Sequence, residues 1–366
     1  VFAQSKEIDS LKALLITQEG IELVNTLNEL SWYYKGIQLD TAYGYAIAAI
    51  SASNKIDSDS ARSASYNSMG NVKEAMGEID SALYYHQEAI SIKTRLRDTL
   101  GIASSLNNLG ILYDEMGKYP QALSYYFQAL AYYEQYDENE SIAMVLLNIG
   151  IVYKKQEAYE KVLSYYLRAR DIYQKTGNTF GQVVLSGNIG SIHINLKNYD
   201  SVIYYSQKAV AGYRDLGFLR YVPYAQHNLA IANDSLGNVQ ATRDYYFSAI
   251  EGHQDFSNDF ELANVYTSLS NHFLTQQDYP KATTYAELGL RHAEEVKANE
   301  LSTQLYEVLA KSQASQGSYQ EAFDSYQNYV IGKDSIYEAE KIKQIFELET
   351  VYETEKKEQQ IALQQA

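Results

Sequence analysis

The sequence contains no cysteine and only three prolines among its 366 residues. The lack of cysteine excludes disulfides, thiolate metal sites and a cysteine nucleophile. The scarcity of proline and glycine, beside many alanine, leucine, tyrosine, glutamine and glutamate residues, indicates helices. No run of alternating β-branched residues predicts a strand, and no apolar run approaches the about 20 residues of a membrane-spanning helix.

Basic residues are scarce relative to acidic ones. The 46 acidic and 30 basic residues give a net charge of −16, and no cluster of lysine or arginine offsets it. Such a surface repels phosphate backbones, so we expect no nucleic-acid partner. The acidity leaves two interpretations open: it serves solubility alone, or it favours a partner that carries some positive charge.

Motifs that would carry enzyme chemistry are also missing. The six histidines form no His-x-x-x-His or His-Glu-x-x-His pair, which removes the common zinc-ligand spacings. The sequence has no phosphate loop of the G-x-x-x-x-G-K-[ST] type, no G-x-G-x-x-G and no G-x-S-x-G. The chain is therefore predicted to be no enzyme, with no metal site and no cofactor.

What the sequence does contain is a pattern that returns every forty residues. One column of mostly small residues runs through Gly70, Gly110, Gly150, Gly190, Ala230 and Ser270. Two further columns, mostly alanine, begin at Ala42 and Ala49 and let paired helices approach closely. A glycine shared by four repeats lies between the first two columns, where a helix C-cap is expected. Each repeat is predicted to be helix A, a tight turn and helix B.

These columns resemble the tetratricopeptide repeat in its forty-residue variety. The stretch LNNLGILYDEMGKYPQALSYYFQAL, residues 106–130, carries that family's L-G-x-x-Y, turn glycine, aromatic and A-x-x-x-[YF]-x-x-A positions. The resemblance implies an all-α fold, a right-handed superhelix of about eight helix-turn-helix repeats. The predicted organisation is a signal-peptide remnant at 1–3, an N-terminal helix at 4–20, the repeat array at 21–338 and a long C-terminal helix at 339–366.

An asparagine recurs two residues before the first small column. This amide column holds Asn28, Ser68, Asn108, Asn148, Asn188, Asn228, Ser268 and Val308, with Asn28 in a degenerate repeat. Asparagine costs about 0.6 kcal/mol against alanine in a helix, so helix propensity did not select it. Its amide can donate and accept, as a peptide bond does. The family resemblance implies that such asparagines line an inner wall and hold an extended peptide; the alternative is a bond to the neighbouring helix A.

Further side chains on the same predicted wall are candidate ligand contacts, namely Asn107, Lys154, Tyr224 and His227. Together with their apolar neighbours they are expected to form a groove. Its amides would bind the backbone of a ligand and its apolar depressions would hold the ligand's side chains, which suits a peptide or protein segment. Gly187 is expected to open room beside Asn188. Lysine and arginine do not flank the amide column as in the family's carboxylate-clamp members, so a chaperone tail is not the expected ligand.

The N-terminus predicts an exported chain. Val1 and Ala3 fit the −3 and −1 positions of a signal-peptidase site, and Gln4 would then be the mature start. This pattern predicts a periplasmic or other extracytoplasmic location. The alternative is an ordinary N-terminal tail on a cytoplasmic protein.

The C-terminal segment YETEKKEQQIALQQ adds a second resemblance. It is similar to the helix that leads from the extracytoplasmic input region of bacterial membrane sensors into a transmembrane segment. This resemblance implies a two-component sensor of the histidine-kinase type, tethered to the membrane through a segment beyond residue 366. The helix is expected to pair with a second copy, or to fold back as a cap on the last repeat. The alternative function is a stand-alone scaffold of the cell envelope.

Overall fold

The computed structural model describes residues 2–337, with side chains from Glu7 onward. The chain divides into two compact units, which meet in sequence between Ala158 and Tyr159. We call them unit 1 and unit 2. The predicted C-terminal helix at 339–366, with its proposed role as a relay and dimer contact, lies outside the described residues.

Unit 1 consists of eight helices within residues 2–158, and sequential helices from α2 to α8 pack on one another. The bounds are α1 Phe2–Leu14, α2 Gly20–Lys35, α3 Leu39–Lys55, α4 Asp59–Ala75, α5 Ile79–Leu96, α6 Thr99–Glu115, α7 Tyr119–Gln135 and α8 Asn139–Lys155. The even-numbered helices are the A helices of successive repeats, and each also packs on the next A helix. Residues 2 and 3, placed in a signal-peptide remnant by the sequence, belong to α1 in the structure.

Unit 2 continues the same alternation through residues 159–337. The bounds are α9 Tyr159–Thr176, α10 Thr179–Asn195, α11 Tyr199–Asp215, a 3-10 turn Leu219–Tyr221, α12 Val222–Ser235, α13 Val239–Asp255, α14 Asp259–Thr275, α15 Tyr279–Glu295, α16 Asn299–Ser315 and a last helix over 319–337. The A helices α10, α12, α14 and α16 pack in sequence. No strand occurs in the described part of the chain, which confirms the all-α prediction of stacked helical hairpins.

Small residues bring each helix pair together, as the columns predict. Ala42, Ala82 and Ala122 are fully buried. At Gly110 in α6 an added Cβ would lie 2.5 Å from Cε1 of Tyr126 in α7, so the tyrosine ring rests directly on the backbone of helix A. A side chain added at Gly110 would therefore collide with this ring.

The turn between helices A and B follows the capping pattern that the glycine column indicates. Gly77 and Gly117 have φ values of 75° and 72°, a left-handed conformation that glycine adopts without steric cost. Pro120 and Pro280 lie in the first turn of α7 and α15, where a missing N–H leaves no hydrogen bond unmade.

One helix departs from the repeat. The other A helices of unit 2 begin at 179, 259 and 299, so the period predicts a start at 219, whereas α12 begins at Val222 after a 3-10 turn. Pro223 explains the shift, because a proline five residues into a helix lacks the N–H for the ladder and its ring clashes with the carbonyl of residue i−4. At Val222 as the start, Pro223 falls in the first turn, where it is tolerated.

None of the helices within residues 2–337 combines the length and the apolar character needed to cross a bilayer.

Candidate functional site

The asparagines of the amide column take equivalent positions on the A helices. Asn28, Asn108 and Asn148 lie on α2, α6 and α8 of unit 1, and Asn188 and Asn228 lie on α10 and α12 of unit 2. All five side chains are half-buried. They differ in their hydrogen bonds, and this difference separates the two interpretations that the sequence leaves open.

Asn148 makes the bond between repeats that the structural interpretation expects. Its Nδ2 donates to Oδ1 of Asn107, 41 residues earlier, over 3.0 Å. In unit 2 the same register joins His227 to Ser268, with Nε2 and Oγ 3.0 Å apart. The residue before the column in one repeat thus bonds the column residue of the next repeat.

This register explains the positions of two predicted ligand contacts. Asn107 is 3 % exposed and His227 is 6 % exposed, and both face a partner on the next helix A. Burial lowers the pKa of His227 to about 3, with the charge of nearby His253 as the second cause. The histidine therefore stays neutral at physiological pH. The structure assigns both side chains to packing between repeats.

Asn188 and Asn228 behave differently from Asn148. Neither side chain makes a hydrogen bond to any residue among those the structure describes, and the same holds for Asn108. The 41-residue offset places Gly187 opposite Asn228, and a glycine has no side chain to bond it. An added Cβ at Gly187 would make ordinary contacts, 3.5 Å from the Tyr213 hydroxyl and 3.7 Å from Cβ of Ala209, so this glycine lies against α11.

Two of the remaining predicted contacts, Lys154 and Tyr224, lie at the surface. Lys154 is exposed on α8, while its neighbour Lys155 binds both carboxylate oxygens of Asp114 at 2.9 Å. Tyr224 is 39 % exposed on α12, and its hydroxyl accepts a hydrogen bond of 2.9 Å from Nδ2 of Asn258. Asn28 has a buried Oδ1 that finds no partner among the described residues.

Two amides that the sequence reasoning missed continue this surface on α14. Asn264 occupies the column of Tyr224 one repeat later, and Asn271 occupies the column of Ile231. Asn271 is exposed, and Asn264 is half-buried with its Nδ2 3.2 Å from Oε2 of Glu261. Following the wall columns into the seventh repeat would have found both residues from the sequence alone.

We expect the two kinds of amide to respond oppositely to alanine. Asn148→Ala removes the donor to the buried Oδ1 of Asn107 and should lower the free energy of unfolding by about 1–2 kcal/mol. Asn108→Ala, in the same column and unit, removes no hydrogen bond and should be neutral or slightly stabilising because alanine is the better helix former. Denaturant unfolding of both variants provides the measurement. Equal losses would contradict the assignment.

The repeat geometry agrees with a comparison against known families. A model of the tetratricopeptide repeat matches residues 60–135, which cover α4 to α7. Residues 60–135 therefore carry the tetratricopeptide repeat. A comparison of the chain with curated proteins finds no match.

Solved structures share the fold of this chain at low sequence identity. The apo form of the quorum sensor NprR from B. thuringiensis has a TM-score of 0.64 at 13 % identity, covering 89 % of this chain and 92 % of that one. A Rap protein complexed with Competence and Sporulation Factor has a TM-score of 0.56 at 14 % identity, with coverage of 92 % and 99 %. A signal-transduction ATPase with a tetratricopeptide-repeat sensor, from Pyrococcus horikoshii, has a TM-score of 0.65 at 14 % identity, covering 94 % of this chain and 54 % of that one.

Proposed function

We propose that the A helices of unit 2 bind an extended peptide or protein segment. The observation that carries this proposal is the pair Asn188 and Asn228, whose half-exposed amides make no bond to the described residues. A peptide backbone supplies the acceptor and donor that such an amide lacks. The A face of unit 2 denotes the surface that carries Asn188 of α10, Tyr224, Asn228 and Ile231 of α12, and Asn264 and Asn271 of α14.

The side chains around the two amides suit a peptide. Ile231 is half-buried on α12 and Tyr224 is exposed there, so apolar and aromatic surface lies beside Asn228. Amides bind the main chain of an extended segment whatever its sequence, and apolar pockets select its side chains. The net charge of −16 disfavours acidic segments, so neutral or basic ones should bind faster and tighter.

The role of the chain in a cell is proposed on the same basis. Two of the structural neighbours are sensors, and a third is complexed with a factor, which supports a ligand-sensing role for this chain. We propose that the chain is the input region of a bacterial membrane signalling protein, located outside the cytoplasm, and that residues 339–366 relay binding and pair with a second copy. The alternative is a cell-envelope scaffold without a signalling output.

Coding sequence beyond residue 366 separates the two roles. An apolar stretch of about 20 residues followed by a kinase or DNA-binding domain would support the sensor. A stop codon directly after residue 366 would support the scaffold.

A peptide-binding measurement tests the A face itself. Peptides selected from a random library on the intact chain are titrated against the wild type and against the double variant Asn188→Ala, Asn228→Ala. Each lost amide leaves backbone groups of the bound peptide unpaired, so we expect the dissociation constant to rise at least tenfold, which corresponds to about 1.4 kcal/mol. The control is Asn328→Ala, an exposed asparagine on the last B helix, which should leave binding unchanged.

Stability distinguishes the two interpretations of the amides. The double variant should unfold at the same midpoint as the wild type or a slightly higher one, because neither side chain makes a hydrogen bond to the described residues and alanine is the better helix former. Unchanged peptide binding together with lower stability would assign these two amides to packing, as for Asn148, and would overturn the proposal.

A further inference from the structure

Unit 2 contains a second candidate site away from the amide column. The helices α9, α10 and α11 enclose a cleft of about 470 Å³. Its lining consists of Arg170, Gln174, Thr179, Gln182, Val183, Ser186, Tyr204, Tyr205 and Lys208. This volume lies within the range of about 300–1,000 Å³ of small-molecule sites. Two cations and no carboxylate line the cleft, although the whole chain carries a net charge of −16.

The arginine of this cleft breaks the repeat pattern. The column of Arg170 holds an aliphatic residue in all the other repeats, namely Ile50, Ile90, Leu130, Val210, Ile250, Leu290 and Val330. Leu130 and Ile250 are buried in the core and the other five are half-buried, so this position contributes apolar packing between helices. A guanidinium at this position loses the apolar contacts that an aliphatic side chain would make. Packing of the fold therefore does not explain why an arginine replaces an aliphatic residue here.

Two residues of α10 break the pattern in the same direction. Gln182 stands where neighbouring repeats have the buried residues Ile142, Val222 and Leu262. Ser186 stands where three other repeats have Leu106, Leu146 and Tyr266, which are also buried, and where the following repeat has the larger Gln226. Loss of such large side chains opens space that the fold does not refill, at a cost in stability. The cleft thus results from three changes in one place, each from a packing side chain to a polar or smaller one.

The two cations are held in position by tyrosines of α11. Nη1 of Arg170 donates to the hydroxyl of Tyr205 over 3.0 Å, and the ring of His193 stacks on Tyr205 at 5.8 Å. The ammonium of Lys208 lies 4.6 Å from the centre of the Tyr204 ring, and this lysine has no carboxylate partner among the described residues. Preorganised cations of this kind lose little side-chain entropy when they bind an anion.

Among the described residues, the carboxylate that pairs with Arg170 is that of Asp171, which does not line the cleft. Its Oδ1 accepts from Nη2 of Arg170 at 2.9 Å, and its side chain is 57 % exposed. An ion pair as exposed as this one contributes little free energy. A ligand anion can therefore replace Asp171 as the partner of the guanidinium at little cost in free energy.

We propose that this cleft binds a small organic molecule through its carboxylate or phosphate group, with Arg170 and Lys208 as the anion contacts and the Tyr204 ring as the wall for its apolar part. Arginine presents two parallel N–H donors to either anion, and lysine adds a point charge. Ser186 and Gln182 leave the room that the ligand occupies. The lining of the cleft shares no residue with the A face.

Phenyl phosphate and benzoate serve as probes, with the neutral benzamide as the control ligand. Saturation-transfer NMR and calorimetry on the intact chain should detect binding of at least one anion with a dissociation constant of about 1 mM, and no binding of benzamide. Comparison of the two anions decides between phosphate and carboxylate. The absence of binding by both anions at about 10 mM would overturn the proposal.

Variants built from the repeat itself locate the binding. The triple variant Arg170→Leu, Gln182→Ile, Ser186→Leu installs the residues that the preceding repeat carries, so it should fold, unfold at an equal or higher temperature and lose the anion. Lys208→Gln leaves the packing intact and should weaken binding at least tenfold. Arg291→Gln, an exposed cation on α15, is the matched control and should change nothing. Anion binding that survives Lys208→Gln would contradict the proposal.

Discussion

Replacing Gly110 with alanine is expected to lower the free energy of unfolding by about 1–3 kcal/mol, the usual cost of overpacking a core. The added methyl would lie 2.5 Å from Cε1 of Tyr126, and this ring is itself buried between α6 and α7. Thermal unfolding of the variant gives the measurement.

Gly44→Ala is the matched control in the same unit. Gly44 lies in the middle of α3, and a Cβ there would meet no atom within 4 Å. Alanine should therefore stabilise the chain by about 0.5–1 kcal/mol through helix propensity alone. The same substitution is thus expected to act with opposite signs at two helical glycines. Stabilisation at both positions would show that the small column does not set the distance between helices.

Acid should destabilise this protein through its buried histidines. Burial lowers the pKa of His86 to about 4, with the charge of Lys93 as the second cause, and burial lowers the pKa of His253 to about 4. His227, at about 3, belongs to the same group. The unfolded chain binds protons below a pKa of about 6.5, whereas the folded histidines stay neutral until about pH 4.

The sign of the effect follows from this difference. Between pH 6.5 and 4 the unfolded state binds more protons, so the free energy of unfolding falls as the pH falls. Each of the three histidines should lower the free energy of unfolding at pH 5 by about 2 kcal/mol relative to pH 7.5. Denaturant unfolding at both pH values measures the loss.

Tyrosine variants separate the histidines from the carboxylates, which also titrate in acid. His86 takes the column that holds Tyr126, Tyr166 and Tyr246 in other repeats, so His86→Tyr should fit the same space against helix A. Between pH 7.5 and pH 5, the free energy of unfolding of the variant should fall by about 2 kcal/mol less than that of the wild type. An identical loss in both proteins would show that His86 does not contribute.

The fold could be predicted from the sequence because each repeat shows the same few columns. Small residues such as Gly110 and Ala122 mark where helices touch, and turn glycines such as Gly117 mark where they end. The columns recur in so many repeats that a single deviating residue does not change the fold prediction. The late start of α12 was missed because it depends on one residue, Pro223, which acts against the period rather than with it.

The candidate site could be predicted only in part. The amide column was visible, but the partner of each amide depends on which residue lies opposite on the next helix A. Asn107 supplies that partner for Asn148, and Gly187 supplies none for Asn228. Such pairing needs the register between repeats, which the columns do not give. The cleft around Arg170 was readable from its aliphatic column, because one polar residue among seven aliphatic ones stands out.

Cross-linking of a selected peptide from defined positions tests the central claim most directly. A photo-reactive amino acid replaces Ile231, beside Asn228 on the A face, and in a second variant it replaces Phe247, exposed on the B helix α13. If extended segments bind along the A helices of unit 2, the peptide will cross-link at position 231 and not at position 247. Cross-links from position 247 alone would place the peptide on the B helices and contradict this account.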